Sequence, residues 1–269
     1  MGLSRSLRMV LAAWLLLVPP AVAGAQSDGL ARDTVAKIEQ RAYLFLPEAE
    51  GPVPLLVVLP GTGGDGREMI AMLRPAAQQY RFALLGLSPR AGQNFAAIDR
   101  FFDDYESGEP SAHEAWPKPH FGADRERLLK VLDELSARHA IDPSHVGLLG
   151  FSHGGSFALS LGLSDPQRFH TIAALSPGVL VADPVAGEGQ AVFLAHGRDD
   201  KTQPFHRTAC VMTAALEREG RTVAFYPFDG GHTMTRVEIA GALAHFISKG
   251  AESVDPGLLG PKPGDCPAN

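Results

Sequence analysis

Alternating strand and helix signals predict an α/β fold, with a mostly parallel central sheet covered by helices on both faces. Three observations carry this reading. Short apolar runs such as Pro54 to Pro60 (PLLVVLP) show no polar alternation, as strands buried on both faces require. Stretches with helical spacing lie between them, clearest over 124–139, where Leu128, Leu129, Leu132 and Leu135 share a face. The chain of 269 residues, 45% hydrophobic and 20% charged, suits one large globular domain.

Taken in order, Arg41 to Leu46 reads as a strand ended by Pro47, and the run at 54–60 as the next strand. Gly61 to Gly66 is a loop, 67–80 a helix, and 82–87 another apolar strand. The helix over 124–139 precedes a strand over 146–150, a helix over 154–163, and strands at 171–175 and 191–195. A helix over 205–219, a strand over 222–227 and a helix over 235–248 complete the pattern. The segment 90–122 breaks the rhythm. It is longer than an ordinary connection and carries Phe95, Phe101, Phe102, Tyr105 and Trp116 among polar residues. Such aromatic density implies contact with the core beneath or with an acyl or aromatic group of a substrate, so the segment is either a lid or a surface insertion. The tail, 257–269, is rich in Pro and Gly and reads as irregular.

The first 25 residues read as a targeting segment. Arg5 and Arg8 precede the apolar stretch Met9 to Val18, and Ala21-Val22-Ala23-Gly24-Ala25 offers cleavage after Ala23 or Ala25. Ten apolar residues are too few to span a bilayer, so export with no stable membrane insertion is expected, leaving a single domain over 26–269. In an oxidising compartment Cys210 and Cys266 are an even pair, and a disulfide tying down the tail is the expectation. A formal net charge of −6 with no Lys/Arg cluster argues against nucleic acid as a partner.

The chemistry centres on VGLLGFSHGGSFALSL, residues 146–161. Gly-x-Ser-x-Gly is weak by itself in a chain with 29 glycines. Here it joins an apolar strand to a helix, the setting in which a sharp turn projects Ser152 above the sheet as a nucleophile. A serine needs a base and a carboxylate to orient that base. Strand 191–195 runs into His196-Gly197-Arg198-Asp199-Asp200, and strand 223–226 runs towards Asp229-Gly230-Gly231-His232. Both follow the C-terminal ends of strands, where open α/β sheets place their sites. The order Ser152, then Asp199 or Asp200, then His232 is that of a serine hydrolase on such a sheet. His153, following the nucleophile, is one expected backbone donor to an oxyanion.

The segments GFSHGGSFALSLGL, HGRDDKTQPF and YPFDGGHT, with Leu175-Ser176-Pro177-Gly178, resemble the phospholipase/carboxylesterase group of the α/β-hydrolases. They also resemble secreted polyhydroxybutyrate-depolymerase-like esterases, over about Ala42 to Ile247. The resemblance implies the α/β-hydrolase fold and cleavage of small-molecule carboxylic esters without a cofactor. It selects Asp200, fourth after His196, over Asp199, and leaves His196 a structural role. It makes Pro177 a candidate for the substrate pocket, beside Trp116 of the 90–122 segment. Such relatives carry His-Gly after the second strand, where this chain has Pro60-Gly61. The second oxyanion donor is then Thr62, with Gly63 as the fallback. A P-loop is excluded because no Gly-Lys-Ser/Thr follows the glycines, and His113 and His120 lack the spacing of a metal site. An envelope acyltransferase or a thioesterase would use the same triad, and a non-catalytic binding protein would be expected to have lost one of its members.

Overall fold

The computed structural model describes residues 35–39, 41–90, 93–95, 121–180, 190–249 and 265–266. Residues 1–34, Trp116, His113, His120 and most of 90–122 and 257–269 lie outside the described residues. The strands are β1 (Val35–Glu39), β2 (Ala42–Phe45), β3 (Val53–Leu59), β4 (Ala83–Leu87), β5 (Ile141–Phe151), β6 (Thr171–Leu175), β7 (Ala191–Gly197) and β8 (Val223–Phe228). The helices are α1 (Gly66–Tyr80), α2 (Gly122–Arg138), α3 (His153–Ser164), α4 (Ala209–Arg218) and α5 (Arg236–Ile247).

One eight-stranded sheet runs β1-β2-β4-β3-β5-β6-β7-β8. β2 is antiparallel to both β1 and β4, and every pairing from β4 to β8 is parallel. The period of two along a strand sorts each apolar run onto two faces. In β3, Leu55, Val57 and Leu59 point into a core shared with Leu128, Leu132 and Leu135 of α2 and Phe157 of α3. Leu56 and Val58 face the opposite core, with Ile70 and Leu73 of α1 and Leu243 and Phe246 of α5. Towards the β8 edge, Val192 and Leu194 of β7 pack on Met212 and Leu216 of α4. So α2, α3 and α4 cover one face and α1 and α5 the other. Burying each such Leu or Val contributes roughly 1.5–3 kcal/mol, which accounts for a strand that is apolar at every position.

Several boundaries differ from the sequence reading, each for a local reason. β1 (VAKIE) was not expected: Lys37 and Glu39 give an edge strand no continuous apolar run. β5 begins at Ile141 because Ile141 already pairs with Val53; the register then jumps to Leu55 with Val146, and Asp142 turns the intervening chain by accepting from Ser144 N at 2.9 Å. α4 begins at Ala209 rather than 205, because Asp200 Oδ1 accepts from the N–H groups of Thr202 (2.9 Å) and Gln203 (2.8 Å) and winds 201–208 into turns. Phe95 is fully buried and stacks on Phe157 with ring centroids 4.7 Å apart, so this aromatic of the 90–122 segment belongs to the core. Among the described residues no helix is long and apolar enough to cross a membrane.

Candidate active site

Ser152 sits between the last residue of β5 and the first of α3, with φ 53° and ψ −119°, in the left-handed half of backbone space that a non-glycine residue rarely adopts. The turn is sharp enough to press backbone on backbone. A Cβ on Gly150 would lie 2.0 Å from the Gly154 oxygen, and one on Gly154 would lie 2.2 Å from the Leu59 oxygen. Both glycines are therefore demanded by close approach. Ser152 N donates to Leu175 O at 2.9 Å, and its carbonyl accepts from Ser156 N at 2.9 Å, which fixes the strained residue from both sides. Although it occupies the cap position of α3, its hydroxyl caps nothing. It is bonded to His232 instead.

His232 Nε2 lies 2.9 Å from Ser152 Oγ, and its Nδ1 lies 2.7 Å from Asp200 Oδ2. An ionised carboxylate only accepts, so Nδ1 carries the proton and Nε2 is free to receive the serine's. The loops bearing the acid and the histidine are laced together: Arg198 N donates to Phe228 O and Asp199 N to Gly230 O, both at 2.9 Å. A Cβ on Gly197 would meet the Gly231 oxygen at 2.3 Å, so this approach too requires glycine. The ring of His232 also lies against Phe151, with centroids 5.1 Å apart. The capping box of α5, in which Thr235 N donates to Glu238 Oε2 at 2.7 Å, anchors the chain three residues past His232.

Asp200 is 4% exposed, whereas Asp199 is exposed and contributes its backbone N–H. The structure therefore puts Asp200 against the histidine and Asp199 outside. Burial opposes the Asp200 charge, but hydrogen bonds from His196, Gln203 N and His232 outweigh it and hold the pKa at about 2. Sequence reading left His196 a structural part. The structure shows it fully buried, with Nε2–H directed at Gln203 O (2.8 Å) and Asp200 Oδ2 (3.2 Å), so it supports the acid directly. No sequence signal distinguished that role, because the contact exists only once 197–203 is wound into its turn.

The lowered pKa has a consequence for stability. The folded state favours the Asp200 carboxylate relative to the unfolded chain, so its contribution is complete above about pH 4 and lost as pH falls through about 2. That contribution is on the order of 2 kcal/mol. Acid-unfolding curves should show wild type losing this increment between those pH values while Asp200→Asn, which does not titrate, loses less.

Thr62 and His153 come together at the other side of Ser152. Gly64 N donates to Gly61 O at 3.0 Å across a turn in which Gly63 takes φ 73°, as a type II turn requires. Gly61 packs so closely that a Cβ there would lie 3.2 Å from Ser152 Cβ. Thr62 Oγ1 is hydrogen-bonded to His153 Nδ1, joining the two segments named as oxyanion donors through their side chains. A cleft of about 410 Å³ opens beside them, walled by Pro60, Met69, Met72, Phe151 and Met234, with Ser152 and His232 exposed to it. Pro177 is buried and not on that wall. Gly178 N and Val179 N donate to Ser156 Oγ at 2.9 and 3.2 Å, drawing 176–179 down onto α3.

The strand order, the elbow at Ser152 and the loops after β7 and β8 define an α/β-hydrolase fold. Residues 37–234 match the Esterase family, described as "Putative esterase", and the chain belongs to that family. It is 30% identical over 205 residues to "Putative esterase NocK" of Nocardia uniformis subsp. tsuyamanensis, covering 72% of this chain and 56% of that protein. It is 31% identical over 133 residues to human acyl-coenzyme A thioesterase 1, covering 49% of this chain and 26% of the thioesterase. The chain thus spans about half the length of the first relative and about a quarter of the second. The CE1 ferulic acid esterase AmCE1/Fae1A of Anaeromyces mucronatus, solved in complex with ferulic acid, aligns with a TM-score of 0.55 at 14% identity, over 87% of this chain and 97% of that one. At that identity the likeness shows the fold alone.

Proposed function

We propose that this chain is an exported serine hydrolase of carboxylic esters, acting through Ser152, His232 and Asp200 and an acyl-enzyme. The observation that carries the reading is the continuous hydrogen-bonded chain from Ser152 Oγ through the His232 ring to Asp200, opening on an apolar cleft. Ser152 Oγ attacks the ester carbonyl as its proton passes to His232 Nε2, and the imidazolium is stabilised by Asp200. The backbone N–H groups of His153 and Thr62 receive the tetrahedral oxyanion, aided by the N-terminus of α3. Collapse expels the alcohol, protonated by His232. Water, deprotonated by the same histidine, then attacks the acyl-enzyme and releases the acid.

Thioester cleavage is a second reading, favoured by the human acyl-coenzyme A thioesterase relative. Fluorophosphonate labelling of the purified protein tests the hydrolase reading, followed by nitrophenyl esters of increasing chain length, a hydroxycinnamate ester such as a ferulate, and acyl thioesters. Absence of labelling would sink it. Because the base must be neutral to accept the serine proton, kcat/KM should be low in acid and rise to a plateau as pH increases. A profile with no acid limb would remove an imidazole as the base.

Export is supported by the composition of 1–25 and by the pairing of Cys210 with Cys266, whose Cα atoms lie 5.4 Å apart. Intact-mass analysis after alkylation of periplasmically expressed protein should show both thiols blocked until reduction. Two alkylated cysteines in the unreduced protein would refute the bridge.

A further inference from the structure

We infer that the C-terminal segment at Asp265-Cys266 is a positioning element for the Ser152–His232–Asp200 constellation, exerted through Arg198 and dependent on the Cys210–Cys266 disulfide. The inference rests on the hydrolase reading above. Arg198 Nε and Nη2 donate to Asp265 Oδ1 and Oδ2, both at 2.7 Å, a fork-on-fork pair with both side chains largely shielded from solvent. Arg198 Nη1 donates to Asp229 Oδ1 at 2.9 Å. One guanidinium therefore bridges the loop that carries Asp200, two residues on, and the loop that carries His232, three residues past Asp229.

The contacts differ in weight. Asp229 is 73% exposed at its side chain, and such an ion pair contributes little by itself. The pair with Asp265 is bidentate and shielded, the geometry in which an arginine is held to one orientation. Asp265 can hold it only while its own backbone is fixed, and the adjacent Cys266 is bonded to Cys210 in the first turn of α4, 56 residues away in sequence. That turn follows the wound segment 201–208, whose first N–H groups bind Asp200. The disulfide thus joins the tail to the element that continues from the acid loop, and Arg198 joins the tail back to the histidine loop. Releasing the tail loosens the Asp200–His232 contact without removing any group that touches substrate. A small misplacement of a base relative to its nucleophile is expressed in kcat more than in KM.

The test uses the full mature chain with Asp265→Asn, Arg198→Lys and Cys266→Ser, and wild type treated with a phosphine reductant. Asp133→Asn serves as control, since Asp133 forms its ion pair with Arg168 on α2's exposed side, remote from the site. Active-site titration with a fluorophosphonate counts competent molecules, so that kcat is expressed per site. The expected result is a fall in kcat of about tenfold for Asp265→Asn and for reduced wild type, with KM within about twofold and Arg198→Lys intermediate. The low-field proton resonance of the His232 Nδ1–H should move upfield or broaden in the same samples. Should Cys266→Ser fail to fold, Asp265→Asn carries the test with the disulfide intact. Wild-type kcat per titrated site in both Asp265→Asn and reduced protein would overturn the inference, as would activity lost only in proportion to titrated sites. Absence of labelling in wild type would overturn the hydrolase reading itself, which is a distinct outcome.

Discussion

Ser152→Ala is expected to lower ester turnover by about five to six orders of magnitude and to abolish fluorophosphonate labelling. In the proposed mechanism the oxygen removed is the atom that bonds to the acyl carbon, and no neighbour can replace it. Ser156 is the nearest hydroxyl along the helix, but it is fully buried and accepts from Gly178 N and Val179 N. The substitution keeps the Cβ, so the strained φ of 53° and the close contacts of Gly150 and Gly154 are unchanged. Only the bond to His232 is lost from the folded state, a change of about 1 kcal/mol, and the melting temperature should stay within a few degrees. What turnover survives would come from the oxyanion donors and the cleft, roughly three to four orders above water. Retention of a few per cent of wild-type kcat by Ser152→Ala would show that another group is the nucleophile.

The sheet interior was legible in the sequence because β3, β6 and β7 are buried on both faces, which leaves apolar runs that nothing else in a chain this size explains. Position along the chain also placed the serine, the histidine and the acid loop, since each lies at the C-terminal end of a strand. The residues alone could not choose between Asp199 and Asp200, because adjacent carboxylates differ only in which one the turn of 200–203 directs inward. The part played by His196 and the bond between Thr62 and His153 depend on loops meeting across 4 and 91 residues of sequence respectively, with no periodic pattern to announce them. The Arg198–Asp265 pair spans 67 residues, and only the cysteine adjoining Asp265 hinted that the tail returns to the domain. Pro177 became a pocket candidate through the resemblance carried by 175–178; it is buried, and the bonds of 178–179 to Ser156 hold the residues after it on α3.

Asp200→Asn should reduce kcat/KM by roughly 10⁴-fold, while Asp199→Asn changes it by less than about threefold. The difference follows from where the two carboxylates stand. Asp200 Oδ2 accepts from His232 Nδ1 at 2.7 Å and so dictates which nitrogen is protonated. An amide at that position can present its NH₂ to Nδ1, which moves the imidazole proton to Nε2 and leaves no lone pair for the serine proton. In the proposed mechanism it also removes the charge that stabilises the imidazolium as Ser152 attacks. Folding should survive, because an amide oxygen can still accept from Thr202 N and Gln203 N, the bonds that wind the loop. Asp199 is exposed, and the bond it makes to Gly230 uses its backbone N–H, which an Asn retains. Steady-state kinetics on the pH plateau, with both variants titrated for competent sites, separates the two carboxylates. A severe Asp199→Asn beside a mild Asp200→Asn would mean that the working enzyme turns the 197–203 loop to present the other acid, and the hydrogen bonds that give Asp200 its pKa of about 2 would then belong to a resting arrangement.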